Sequence, residues 1–177
     1  MASLPTVDGP GHTVARLLLR AAVGGTMVAH GVKHARSLDG TAGWFGSIGF
    51  RQPALQARAS AVVEIGTGAA IVAGAATPVA AAGVVGVMTV AAHSVHAENG
   101  FFITSEGWEY VMNLAVAAVA LAGLGPGRWS VDESLGWGRS GGGARAAAVA
   151  AGLGAGAAAG QLALFHRRPS PAAGSAI

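Results

Sequence analysis

The stretch His93-Ser-Val-His96-Ala-Glu98-Asn-Gly-Phe-Phe102-Ile-Thr-Ser-Glu-Gly-Trp108-Glu109-Tyr110 carries two histidines, three carboxylates and four aromatics between two long apolar runs. Residues 79–92 before it hold no ionisable side chain, and residues 111–125 after it hold one polar side chain, Asn113. Ionisable groups at a membrane boundary are costly unless they face the protein interior, water or one another, so by default they point to a functional site. The stretch therefore sets the class, a helical membrane protein, and marks where chemistry would sit.

Composition agrees. The 177 residues are 52% hydrophobic and 11% charged, with a mean hydropathy of +0.52. Soluble domains average about 25% charged residues, so too little charge remains to coat a water-facing surface. Ala, Gly and Val dominate the apolar residues, and small residues suit membrane helices that associate by close packing. The same small-residue faces leave association of identical copies, a homo-oligomer, open. The absence of Cys excludes disulfides, thiolate metal sites, iron–sulfur clusters and cysteine nucleophiles. The net charge of +3 is scattered, which argues against a nucleic-acid surface. The first apolar run carries Arg20, His30 and Lys33 and lacks a small-residue cleavage signal, so it does not read as a cleaved leader. The Ala, Gly and Arg bias fits a high-GC bacterial genome, and hence the bacterial cytoplasmic membrane.

A spanning helix needs roughly 20 mainly apolar residues. Candidates lie at residues 13–35, 59–76, 79–97 and 107–125, with a fifth at 144–166. Thr77-Pro78 reads as a tight turn, because proline disfavours helix at the residue before it. Residues 37–58 are too polar to span, and Trp44, Phe45, Ile48, Phe50 and Leu55 among charges fit an interfacial helix or loop. The fifth candidate is rich in Ala and Gly, so a flexible Ala/Gly-rich region competes with a helix there. Leu162, Leu164 and Phe165 before Arg167-Arg168 favour the helix. The expected fold is all-α: a four-helix membrane bundle over 13–135 with a fifth C-terminal transmembrane helix. An N-terminal tail (1–12), a Gly-rich linker (136–143) and a disordered tail (167–177) complete the organisation. Lys and Arg are too evenly divided between the two ends to set orientation.

Alternating helix direction brings the polar residues together. His30, Lys33 and His34 close the first helix, Glu64 lies early in the second, His93 and His96 close the third, and Glu109 opens the fourth with Asn113 one turn deeper. All gather at one mouth of the bundle. At about 100° per residue, Arg16, Arg20, His30 and His34 form one stripe on the first helix. Each also has a plainer role. Glu64 would pair with Arg20 or Lys33, or take up a proton in a dry site. Lys33, Arg36 and Arg58 would snorkel. Phe102, Trp108 and Tyr110 would form an aromatic belt or wall a pocket. His93, His96 and Glu98 offer metal-ligand types, but three-residue spacing alone is a weak signal. No phosphate loop and no nucleophile elbow is present.

Taken together, Leu18-Leu19-Arg20, Ala29-His30-Gly-Val-Lys33, Glu64-Ile-Gly-Thr-Gly68, His93, Asn99-Gly-Phe-Phe102, Gly107-Trp-Glu-Tyr110 and Gly125-Pro-Gly-Arg128-Trp-Ser-Val-Asp132 resemble the DoxX family of membrane proteins over residues 14–135. The resemblance implies a four-helix membrane bundle and quinone-linked redox chemistry, similar to the membrane subunit of thiosulfate:quinone oxidoreductases. It supports fold better than catalysis.

The leading functional expectation is a small membrane component of an oxidoreductase system that binds a quinone at the polar mouth. Glu64, His93, His96 and Glu109 are the catalytic candidates, as hydrogen-bonding and proton-relaying groups. Arg20, His30, Lys33, Asn113, Phe102, Trp108 and Tyr110 are the ligand-binding candidates. With no evident electron carrier in the chain, electrons would come from a redox protein partner or a substrate. Two alternatives stay open: a non-catalytic scaffold anchoring soluble redox or sulfur-handling proteins, and a small transporter or metal-handling protein. Absence of an inverted repeat counts mildly against a transporter.

Overall fold

The computed structural model describes residues 9–138 and 142–168. Residues 1–8 of the N-terminal tail, 139–141 of the Gly-rich linker and 169–177 of the C-terminal tail lie outside the described residues. The fold is all-helical, with seven α-helices among the described residues. They are α1 (Pro10–Arg36), α2 (Leu38–Ser47), α3 (Pro53–Ala73), α4 (Thr77–Ala91), α5 (Glu109–Leu124), α6 (Val131–Ser134) and α7 (Ala144–Phe165). Helix α4 runs on through a π-helical turn, Ala92–His96, and a 3-10 turn, Ala97–Asn99.

Proline stands in the first turn of α1, α3 and α4, and at the last two it moves the start from the expected one. Pro53 and Pro78 occupy first-turn positions of α3 and α4, where a missing N–H costs nothing and the fixed φ suits a helix. Helix α3 therefore begins well before the expected residue 59, and Thr77-Pro78 belongs to α4 itself. The reversal between α3 and α4 falls on residues 74–76, with Gly74 and Ala76 at φ 64° and 44°. The interfacial segment resolves into α2 plus a short connection, and the Ala/Gly-rich segment is helical throughout as α7.

Helix α1 packs along α3, α3 on α4, α4 on α5, and α5 back on α1; α7 lies against α4 and α5, and α2 covers α3. Small residues make the closest seams. A Cβ at Gly24 would stand 2.6 Å from the Gly68 carbonyl oxygen, and one at Gly154 would stand 2.6 Å from that of Ala82. The main core, including Val23, Met27, Ile71, Val84, Met88 and Leu121, fills the space between the long helices. A second cluster of Phe45, Phe50, Ala57, Val90 and Ala158 sits where α2 and α7 meet α3 and α4.

Among the described residues, two helical stretches are long and apolar enough to cross a membrane, Thr77–Asn99 and Ala144–Phe165, and Glu109–Leu124 is apolar but shorter.

Candidate functional site

Helix α3 presents Gln56, Ser60 and Glu64 at intervals of four residues, a spacing that aligns side chains along one face of a helix. They line a cavity of about 360 Å³ between α2, α3, α4 and α7. Its other walls are mostly apolar: Trp44, Phe45 and Ile48 from α2 and its end, Val87 and Val90 from α4, and Phe165 from α7. His34, near the end of α1, is drawn in between Trp44 and Phe45, with ring centroids 6.4 and 6.3 Å away.

His34, Ser60 and Glu64 form a connected unit. Ser60 Oγ donates to Glu64 Oε1 at 2.6 Å, and His34 Nδ1 lies 3.1 Å from Ser60 Oγ. Because the serine proton is directed at the carboxylate, the histidine acts as donor to Oγ, which places a proton on Nδ1. Glu64 is 3% exposed. Its second oxygen, Oε2, lies 3.2 Å from His34 Nδ1, yet it has no hydrogen bond and is shielded from solvent. A buried carboxylate oxygen without a donor is unusual and costly. At the wall of an apolar cavity the open Oε2 can accept a hydrogen bond from a ligand hydroxyl when the carboxylate is ionised, and donate to a ligand carbonyl when it carries a proton.

The expected site residues separate into several places. Of the catalytic candidates, Glu64 alone reaches this cavity. His93 is exposed on the π-helical turn, its ring 5.6 Å from that of His166. With Trp108, Met88 and Met112 it lines a shallower depression between α4 and α5. His96 Nδ1 meets the Glu106 carbonyl at 2.5 Å, and Glu109 Oε2 accepts from the Ile103 N–H at 3.0 Å. Both therefore close the loop that contains them. Asn99, Gly107, Trp108 and Glu109 add further bonds within the same loop. Phe101 packs edge-on against Phe102 and Trp108. Tyr110 stacks on His30, with its hydroxyl 3.5 Å from Nε2. Lys33 and Asn113 are exposed on the helix surfaces.

Arg20 lies at the other end of the molecule and is 4% exposed. Its guanidinium donates to the carbonyls of Ile71, Val72 and Trp129 at 2.6–3.2 Å, and to that of Pro126 at 3.4 Å. It thus satisfies carbonyls at the C-terminus of α3 that the helix leaves open. Asp132, 3% exposed, completes this region. It accepts from Ala76 N at 2.7 Å, Thr77 N at 2.9 Å and Thr77 Oγ1 at 2.8 Å. These are the orphan donors at the start of α4, capped by a side chain from 55 and 56 residues away. A carboxylate there also complements the helix dipole.

Three contributors to the cavity were not foreseen: Ser60, the Gln56–Gln161 pair, and His34 as the partner of Glu64. The i, i+4, i+8 run on α3 was the available signal for the first two. Setting the start of that helix at residue 59 left Gln56 outside it and hid the stripe. Among the described residues, no three His, Asp or Glu side chains converge as a metal site would require.

Comparison with curated proteins and with solved structures returns no match. The DoxX family model matches residues 15–97, from α1 through the π-helical turn after α4, including His34, Ser60 and Glu64. Over these residues, less than half of the chain, the protein is similar to the DoxX family.

Proposed function

We propose that the chain is an integral protein of the bacterial cytoplasmic membrane, a bundle of α1, α3, α4 and α5 with α7 as a fifth crossing helix. We infer that its cavity binds a quinone within an oxidoreductase system. The exposed apolar surface supports the membrane part. Leu18, Val62, Val79, Val116 and Leu153, one on each of the five long helices, are all more than half exposed. Apolar surface on every outer face suits lipid contact. At 1.5 Å per residue, α1 and α3 are about 40 and 31 Å long, enough for a hydrocarbon core of about 30 Å.

The observation that carries the quinone reading is the half-satisfied carboxylate of Glu64 in an otherwise apolar cavity. Small-molecule sites combine apolar walls with a few placed polar groups in volumes of about 300–1,000 Å³. Trp44 and Phe45 supply flat surfaces for a ring, and Glu64 Oε2 supplies the open hydrogen-bonding atom for a ring oxygen. Quinone reduction to quinol takes two protons and two electrons. Glu64, when protonated, delivers one of these protons from Oε2 at the cavity wall and is reprotonated before the second transfer; a redox protein partner at the membrane supplies the electrons.

The test is the quinone content of protein purified in mild detergent. The wild type should retain near-stoichiometric quinone, and Glu64→Gln should lose most of it while eluting as a folded species. A wild type that carries no quinone and binds none when it is added would sink the proposal.

A further inference from the structure

The cavity has a second polar feature besides the His34–Ser60–Glu64 unit. Gln161 Nε2, from α7, donates to Gln56 Oε1 at 2.9 Å. Gln56 is 5% exposed, and both side chains line the cavity. A primary amide carries two donor hydrogens and an oxygen with two lone pairs. The single bond between them therefore leaves a donor on Gln56 and an acceptor on Gln161, and neither side chain makes another hydrogen bond among the described residues.

Position adds to the argument. Gln56 lies one helical turn from Ser60 on the cavity-facing stripe of α3, a rise of about 6 Å. The amide pair and the His34–Ser60–Glu64 unit thus follow one another along the same cavity wall, about one helical turn apart, with mostly apolar residues around them. We propose that the Gln56–Gln161 pair is a second recognition pole, so that the ligand is a flat ring bearing an oxygen at each end, a 1,4-quinone and its quinol. One oxygen meets His34–Ser60–Glu64, and the other meets the amide pair. This rests on the quinone reading above and narrows it. An amide pair suits both redox forms, since its N–H donates to a carbonyl and its C=O accepts from a hydroxyl. A lysine would serve only the carbonyl form, and a carboxyl group must change protonation to serve both. A ring with a single oxygen leaves one buried pole unmatched, which is where discrimination arises.

The pole depends on a helix outside the matched DoxX segment. Glycine at position 154 lets α7 approach α4 closely enough for Gln161 to reach Gln56. Selectivity for a two-ended ligand is therefore a property of α7, added to a cavity whose first pole lies on α1 and α3.

The experiment is calorimetric titration of the full-length protein in detergent with menadione, a 1,4-naphthoquinone, and with 1-tetralone, a bicycle of similar size with one ketone. Wild type should bind menadione at least about tenfold more tightly, the worth of a good hydrogen bond. Gln161→Met and Gln56→Met preserve side-chain length while removing the amide. Each should weaken menadione about tenfold and leave 1-tetralone within about twofold, and the double variant should be no worse than either single one. Should a Met variant aggregate, Gln161→Asn keeps the amide but withdraws it by one methylene, and the same loss is expected. Unchanged menadione affinity in these variants, with affinity reduced in Glu64→Gln, would overturn the second pole and leave the quinone reading standing. No menadione binding by the wild type would overturn both.

Discussion

Helix α1 carries two buried polar sites about 20 Å apart along its length, and they are built in opposite ways. At Arg20, the guanidinium and the nearby Asp132 find partners throughout: carbonyls at the end of α3 and in the α5–α6 connection for one, the donors at the start of α4 for the other. At His34, the partner carboxylate of Glu64 is equally buried, yet one of its oxygens has no hydrogen bond. The first site ties three chain segments together. The second borders about 360 Å³ of mostly apolar space. A buried charge with its partners complete is structural, whereas one left incomplete at a cavity is available to a ligand. Substitutions should separate the two accordingly.

Asp132→Ala should have the largest effect on stability. It leaves two backbone N–H groups and the Thr77 hydroxyl without acceptors at a buried helix start. Removing one side of such a buried arrangement costs about 3–5 kcal/mol. For a chain of this size that corresponds to a fall in Tm of roughly 10 °C, measurable by thermal unfolding in detergent. Folded Asp132→Ala protein should still bind quinone; a selective loss of binding at unchanged Tm would erase the distinction between the two sites.

Gly154→Val follows. Even a Cβ at this position would lie 2.6 Å from the Ala82 carbonyl oxygen and from Val85 Cβ, so α7 must shift. Overpacking of this kind costs about 1–3 kcal/mol. Quinone affinity should fall with it, since Gln161 and Phe165 ride on the same helix. Gly156→Ala, where the new Cβ meets nothing within 4 Å, is the control and should change neither property.

The helices were legible in the sequence because apolar runs, proline and glycine act locally. The Ala/Gly-rich run of α7 proved to be helix because its small residues meet the backbone of α4, a tertiary effect that propensity does not contain. The candidate site was less legible. The residues at 93–110 looked like a cluster because ionisable groups were concentrated there, but His96 and Glu109 bond to their own loop. Density of polar residues in sequence does not reveal where their hydrogen bonds go. Glu64 was visible as a carboxylate in an apolar helix. Its partner was not, because pairing with His34 depends on the relative rotation of α1 and α3. Asp132 was invisible as a cap for the same reason, since its donors lie more than fifty residues away.

Within the cavity, Glu64→Gln should reverse the pattern of Asp132→Ala. Glutamine keeps an oxygen to accept from Ser60 Oγ and carries no charge to desolvate, which offsets the lost 3.2 Å pairing with His34, so Tm should move by less than about 3 °C. Retained quinone should fall about tenfold or more, the equivalent of one strong hydrogen bond. Ser60→Ala should sit below it. Losing a bridging hydroxyl costs about 1 kcal/mol, a fivefold loss of affinity. If Ser60→Ala weakened binding more than Glu64→Gln did, the serine would be the direct ligand contact and the carboxylate its support.

The smallest effect is expected at Glu109→Gln, and it tests the comparison from the other side. Glu109 holds the Ile103 N–H from a half-buried position within a loop that several further backbone bonds already close. A glutamine oxygen can accept the same bond, losing only the strength that charge adds. Stability should change by less than about 1 kcal/mol, within reach of thermal unfolding in replicate. Quinone binding should stay at the wild-type level, because the loop does not line the cavity beside Glu64. A clear loss of binding in Glu109→Gln would move the site back toward the α4–α5 depression where His93 and Trp108 meet, and incomplete bonding would no longer mark where the ligand sits.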